Sequence, residues 1–592
     1  MKPRQDDLLE YYRRELAYLR VQGGDFAARY PKVGRRLALG EQESSDPHVE
    51  RLIEAVAFLN ARVHRDLDRE FPQVAQALLD NLCPSLVRSV PSITVAQLAL
   101  DPKQGKVTSG LTVPRGAQLQ ALSASGEVCR FQVAWDTVLW PLEVSLAQAV
   151  DSRTLEIHFS TLAGVELAEL ELDALRLHLA GELLSTMPLH ELILSSLEDV
   201  QLLLDSSVVS LGADALGECG FEDGQEVIPR PAHAHPAYPL LQEYFTFPRK
   251  FQFFEIRGLR HRLSHARSLG LRLVFNRSSP VLGRVNKGTF RLGCVPVVNL
   301  FQMTSEPITL DRRRSEYPLV ADRNREEHVE IHAVESVTIS DPQADTARHV
   351  AHAFGDWEAL RPEGQFDQDE PGLLWTARQE PTLRKGLSGT DTFLSFVDRA
   401  DPATVASEPV VYAQVLCTNR RLAEQVPAGA VLLGSGLSES LHIRTLYEPS
   451  APVSAVSGAE MLRALVALMR LNHQTLVEQG QGLQHLRDLL MLFAGEGGQQ
   501  QSQIRALRSL RSEPCTARIG RQTWRGHCQG TLVRLEFDEQ GFAAGSPLLL
   551  GAVLARFLAL YTTINSFVQL QVDRQGEPWK QWPAMTGRQC LI

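Results

Sequence analysis

Near Pro91 the spacing of apolar residues changes its period, and that change divides the chain before any motif is considered. Up to about residue 90 the apolar positions recur every three or four residues. Leu8, Tyr12, Leu16 and Leu19 come first, then Val49, Leu52, Ile53, Val56, Leu59, Val63 and Leu67, then Val74, Leu78 and Leu82. Each set is one face of an α-helix. Asp46-Pro47 combines an N-capping carboxylate with a proline suited to the first helical position, so a helix opens there. A third helix is expected from Phe71-Pro72, and it must stop before Pro84. Beyond Pro91 the period falls to two. Residues 93–98, 155–159, 175–179 and 271–275 alternate apolar and polar side chains, and 294–298, 329–337 and 410–417 are also strand-like. Helix is expected again over 188–203 and 458–493. Residues 355–372 read as a polar surface loop, and GEGGQQQSQ (495–503) reads as a linker.

In the last ninety residues a strand at 531–537 leads to a helix start at Ser546-Pro547. That helix carries Leu549, Val553, Phe557, Leu560, Ile564 and Phe567, with Leu550, Leu554 and Leu558 as a second apolar side, before a strand at 568–572. A helix apolar around so much of its circumference is covered on more than one side. Its own strands could supply one cover and a second subunit another, although helices of this kind are more often the core of their own domain. The expected fold is α+β and multidomain. It comprises an N-terminal helical module (1–90), a β-rich middle region of two subdomains (91–450), a helical segment and linker (451–500) and a C-terminal α+β assembly domain (501–592). Leu550, Leu554 and Phe557 are the candidate assembly residues at the C-terminal end.

Charge and motifs exclude several functions. The 592 residues hold 60 Lys and Arg against 70 Asp and Glu, a net charge of -10. Binding nucleic acid would need a concentrated basic surface against that background. Only short basic runs occur, at 257–267, Arg312 to Arg314, and Arg505, Arg508 and Arg511, so no nucleic-acid partner is expected. The eight cysteines form no CxxC pair, which disfavours a zinc ribbon or redox dithiol. The N-terminal MKPRQDDLLEYYRRE has no apolar stretch to serve as a secretory signal. The most apolar window, 548–561, is interrupted by Arg556 and is shorter than the ~18 residues of a membrane span. Phosphate-loop, HExxH, GxSxG and dinucleotide motifs are missing. The best metal constellation is His328-Val-Glu-Ile-His332. On a strand His328, Glu330 and His332 would share a face and could serve a metal-dependent hydrolase. The competing reading is a solvated face with Val329 and Ile331 inward, and the lack of a nearby fourth donor favours it. His233 with His235, and His261 with His265, are weaker pairs. No cofactor is expected.

Several long blocks resemble the TssF family of type VI secretion systems, also called VasA or ImpG. They include YYRRELAYLRVQGGDFAARYPKVGRRLAL (11–39), SSDPHVERLIEAVAFLNARV (44–63), GCVPVVNLFQMTSEPITL (293–310) and WPAMTGRQCLI (582–592). The blocks stand in family order along nearly the whole chain. The resemblance implies a structural baseplate wedge subunit of a contractile injection machine, with no catalytic residues or cofactor. It also implies two copies per TssG, a wedge that binds TssK, and a VgrG hub with TssE, sheath and inner tube proteins. The helical N-terminal region would be shared with partners, which makes Tyr11, Tyr12 and Leu16 further candidate assembly residues. The protein would lie in the cytoplasm, at the inner face of the cytoplasmic membrane through the assembled baseplate, without inserting into it.

Overall fold

The computed structural model describes residues 7–36, 46–104, 108–340, 349–353, 373–398, 409–469 and 481–587. Within those spans, residues 205–206, 232–233, 261, 264, 312, 383, 385–386, 439, 457–458, 496, 519–526, 544 and 564–565 also lie outside the description. The loop expected at 355–372 falls outside it too. The chain is α+β and forms two compact units, one of Met1–Leu82 with Val456–Val466 and one of Cys83–Ala455 with Ala467–Ile592.

The smaller unit is helical. Helices Asp7–Arg29 and Pro31–Arg36 precede a helix of 36 residues, Pro47–Leu82. Asp46 starts that helix as expected, its carboxylate accepting the His48 N–H at 2.9 Å. No new helix begins at Phe71-Pro72, because the long helix runs through the proline. Proline removes one bond from the ladder and costs about 3 kcal/mol, and here the turns on either side continue the ladder regardless. Arg20 ties the first helix to the long one, its Nε and Nη2 donating to Glu50 Oε1 at 3.0 and 2.6 Å. Ala57, Ala61 and Leu79 are fully buried in this unit.

The larger unit is built from strands that lie far apart in sequence. A closed barrel takes, in order, Ile93–Leu100, Cys294–Val298, Val128–Val133, Gln118–Leu122, Val431–Gly434 and Leu441–Thr445. Closure leaves these strands without a free edge, and Leu98, Phe131, Val295 and Ile443, which share one face of the strands, fill the interior. Gly293 enters the second strand with φ +66°, and a Cβ there would stand 2.2 Å from the Leu98 carbonyl oxygen, so only glycine fits. An eight-stranded sheet that includes the paired strands Val410–Thr418 and Glu330–Ser340 has its own core, including Val337, Leu394 and Val415. Buried Asn299 and Asn419 join the barrel to this sheet. Asn419 N–H donates to Asn299 Oδ1 at 2.7 Å, and Asn299 Nδ2 donates to the Arg130 carbonyl at 2.6 Å.

A five-stranded and a four-stranded sheet complete the middle of the chain. The helix expected over 188–203 occupies Leu183–Ser196 and then gives way to strand Leu197–Leu204. Val200 and Leu202 alternate inward on that strand, which pairs with Ser268–Phe275. Pairing with an existing strand overrides the helical pattern at this point.

At the C-terminal end, strands His527–Phe537 and Phe567–Arg574 run parallel. A parallel pair needs a long crossover, and helix Pro547–Tyr561 supplies it. Ser546 caps this helix by accepting the Leu549 N–H. The helix ends at Tyr561, so Phe567 belongs to the strand, and Ile564 lies outside the described residues. The tract read as a linker is partly a packed helix, Gly498–Arg505. Its Gln500 donates to the Phe245 carbonyl at 2.5 Å, and Tyr244 donates to Gln503 Oε1 at 3.1 Å. The glutamines meet backbone and side-chain groups of helix Ala237–Thr246 instead of water, which is why a polar run folds here. No helix among the described residues is long and apolar enough to cross a membrane.

Candidate assembly interface

The C-terminal helix is core on every apolar side. Leu550, Leu554 and Phe557 are each 0% exposed in the isolated chain, and Leu558 is 1% exposed. The helix packs between helix Ala237–Thr246 and strand Phe567–Arg574. Gly551 allows the closest approach, since a Cβ there would stand 2.8 Å from the Trp582 ring. Tyr561 and Tyr238 share a hydroxyl hydrogen bond, and Phe557 packs beside both rings. Arg556 reaches Glu218 at 2.6 Å and lies over the Phe221 ring. The second apolar side expected to receive another subunit is therefore covered by the chain itself. Leu550, Leu554 and Phe557 are core and not a free surface of the chain. Periodicity reports that a side is apolar, not which chain covers it.

The smaller unit presents the opposite case. The apolar stripe of the long helix divides in two. Val49 and Ile53 are half-buried on the side of the fully buried Ala57 and Ala61, while Leu52, Val56, Leu59 and Val63 are 65, 44, 60 and 56% exposed. Their spacing of four, three and four residues is that of an a/d seam. Tyr18 and Val21 on the first helix are exposed as well, and Tyr11, Tyr12 and Leu16 are half-buried. Sequence reasoning merged the two sides into one stripe, although the 4-3-4 spacing could have separated them.

The His328, Glu330 and His332 group does not converge. His328 lies in a turn before the strand and stands 3.9 Å from Glu127. Glu330 is buried, and its Oε1 accepts both the N–H and the hydroxyl of Thr390 at 2.8 Å. Burial pushes its carboxyl upward, against the Thr390 hydrogen bond and the Arg420 charge. The strand bulges at His332, so Ile331 and Ala333 pair with successive residues of the next strand. A bulge re-aims the extra residue. The His332 ring lines a small cavity with Cys83, Arg88 and His235, away from Thr390. Burial, helped by the Arg88 charge, pushes its pKa down to about 3. The solvated-face reading is also corrected, because Glu330 and His332 are as buried as Val329 and Ile331. Among the described residues no group of three His, Cys, Asp or Glu side chains is placed to hold a metal ion.

Comparison with known proteins shows the family of the chain. The family model described as "Type VI secretion system, TssF" matches residues 4–589. The type VI secretion system component TssF1 of Pseudomonas aeruginosa strain PAO1 is 33% identical, with 99% of each chain covered. A chain of the TssK-TssF-TssG baseplate subcomplex solved by cryo-electron microscopy superposes with TM-score 0.74 at 25% identity, covering 90% of this chain and 98% of that one. A chain of a type VI baseplate complex shares the fold at TM-score 0.59 and 23% identity, covering 99% and 100%. The class defined is that of structural components of type VI secretion baseplates. Within that class, the chain belongs to the TssF family.

Proposed function

We propose that this chain is a non-catalytic wedge subunit that assembles with TssG-type and TssK-type partners, two copies of the chain to each TssG. The wedges would ring a VgrG-bearing hub, with TssE, sheath and inner tube docking on them. The supporting observation is the exposed seam Leu52, Val56, Leu59 and Val63 on the long helix. A row of exposed apolar residues at this spacing suits a partner helix packed at a shallow angle, and it is a poor surface to leave in water. Tyr11, Tyr12 and Leu16 on the first helix flank the proposed contact. The solved subcomplex named for TssK, TssF and TssG supports the choice of partners. The proposed location is cytoplasmic, at the membrane's inner face through the assembled baseplate.

Co-production with the TssG-type partner tests this reading. The double variant Leu52→Glu/Leu59→Glu, at two exposed positions, should keep its helix content and melting temperature yet fail to copurify with the partner. Leu433→Glu, at a 69% exposed position on the barrel, serves as the control and should copurify normally. Copurification of the double variant at the unmodified level would overturn the helical seam as the contact.

A further inference from the structure

Residues 284–291 carry Arg284, Lys287 and Arg291, all exposed. Among the described residues none of the three makes an ion pair or side-chain hydrogen bond to a carboxylate. Three unpaired cations within eight residues stand out in a chain of net charge -10. The segment is held rigidly, because Asn286 Oδ1 accepts the Gly288 N–H at 2.8 Å and Thr289 Oγ1 accepts the Asn286 N–H at 3.1 Å. This reciprocal capping box fixes the turn that carries Lys287, between Arg284 before it and Arg291 after it.

Two clefts open on either side of that segment. One has a volume of about 670 Å³ and the other about 390 Å³, and Gly288 and Arg291 line both. Lys287 lines the larger cleft and Arg284 the smaller. The larger is walled by apolar side chains that include Val138, 46% exposed, and half-buried Trp140. Among the described residues the only carboxylate in either lining is Glu143. The result is a groove with an apolar floor and a cationic ridge. Its volume falls in the range of sites that enclose side chains or small ligands.

We propose that this groove docks an extended segment of a partner protein in which carboxylates are interspersed with large apolar side chains. The apolar side chains enter the cleft beside Val138 and Trp140, and the carboxylates meet Arg284, Lys287 and Arg291. Charge complementarity selects the occupant. A bare polyanion would leave the apolar walls uncovered, and an apolar segment without acids would leave the three cations unpaired. Pairing at such a ridge contributes to specificity and to the rate of encounter. The inference is independent of the helical seam, which lies in the other compact unit.

The test is selection of random-sequence peptides displayed on phage against the immobilised full chain. Selected binders are then made as labelled peptides and measured by fluorescence anisotropy. The expected binders combine Asp or Glu with Leu, Phe or Trp. Changing their acids to Lys should weaken binding to the unmodified chain by about tenfold or more, roughly 1.4 kcal/mol. Arg284→Glu/Lys287→Glu/Arg291→Glu should weaken the acidic peptides similarly and gain affinity for the Lys-substituted ones, with an unchanged melting curve. Val138→Asp should weaken both sets. The proposal is overturned if no binders emerge or if they lack acidic enrichment. It is equally overturned if lysine substitution in the peptides leaves affinity unchanged, a result that does not depend on any variant folding. Competition by oligo-dT of equal charge as strong as that by unlabelled peptide would reduce the ridge to a general anion surface and also overturn it.

Discussion

Glu243 and Lys250 form an ion pair sealed inside the larger unit, with side-chain exposures of 1% and 2%. The second carboxylate oxygen accepts the N–H groups of Val227 and Ile228 at 2.7 and 3.0 Å. One carboxylate thereby joins helix Ala237–Thr246, the turn Pro248–Phe251 and the loop at 227–228. Removing one member strands a buried charge, which costs about 3–5 kcal/mol. Lys250→Met should lower stability by that amount. Glu243→Gln/Lys250→Met should cost less than the two single changes added together, because no unpaired charge remains. Urea unfolding of the four proteins measures the coupling, and strictly additive losses would show that the pair is not a unit.

Phe557→Asp and Leu554→Asp should destabilise the larger unit by several kcal/mol, since each puts an unpaired carboxylate at a position with 0% exposure. The expected result is a lowered melting temperature and loss of near-ultraviolet circular dichroism in the chain alone. A folded chain that fails only in partner binding would restore this helix as an interface.

Changes in the former metal candidate should separate by burial. His328→Ala alters a half-buried turn residue and should stay within about 0.5 kcal/mol of the unmodified chain. Glu330→Ala leaves the Thr390 donors without their acceptor and should cost about 1–3 kcal/mol. His332→Ala opens a cavity in a buried bulge and should also destabilise. Bound metal, measured by mass spectrometry of the intact chain, should be the same in all three variants as in the unmodified protein.

Stability should fall as pH drops below about 6.5, the ordinary value for histidine. Burial pushes the pKa of His178 and of His332 down to about 3, and that of His190 down to about 4. The Arg249 charge adds to the effect at His178, the Arg88 charge adds to it at His332, and the Glu218 charge opposes it at His190. Unfolded chains take up protons on these rings below about pH 6.5, while the folded rings stay neutral down to 4 and 3. The folded state is therefore fully favoured by them above pH 6.5 and loses that advantage as pH falls. Each ring contributes a slope of up to about 1.4 kcal/mol per pH unit. Half-buried Glu191 and buried Glu330, pushed upward, act in the opposite sense nearer the carboxylate range. Urea unfolding at pH 7.5, 6.0 and 5.0 measures the slope. His190→Gln should make it shallower by one ring's share, and an unchanged slope would exclude His190 as a contributor.

Local pattern was legible wherever a single element decided it. The helix start at Asp46-Pro47, the Ser546 cap and the strands around residues 93–98, 155–159 and 410–417 follow from capping chemistry and from periods of 3.6 or two. The long blocks that resemble the TssF family were equally plain, because they stand in order along nearly the whole chain. What sequence could not reveal is which surfaces meet. Strands Ile93–Leu100 and Leu441–Thr445 are neighbours in one barrel although more than three hundred residues separate them, and no local period encodes that pairing. Leu550 and Leu59 are both apolar residues at helical spacing, yet one is sealed by its own chain and the other stands in water. A bulge at His332, with a turn that holds His328 ahead of the strand, undid the alternation that made three side chains look like one site. Sequence by itself determined the kind of most elements, the helix starts at Asp46 and Ser546, and the family. Burial and convergence were decided only by the tertiary structure, because they depend on atoms contributed by segments distant along the chain.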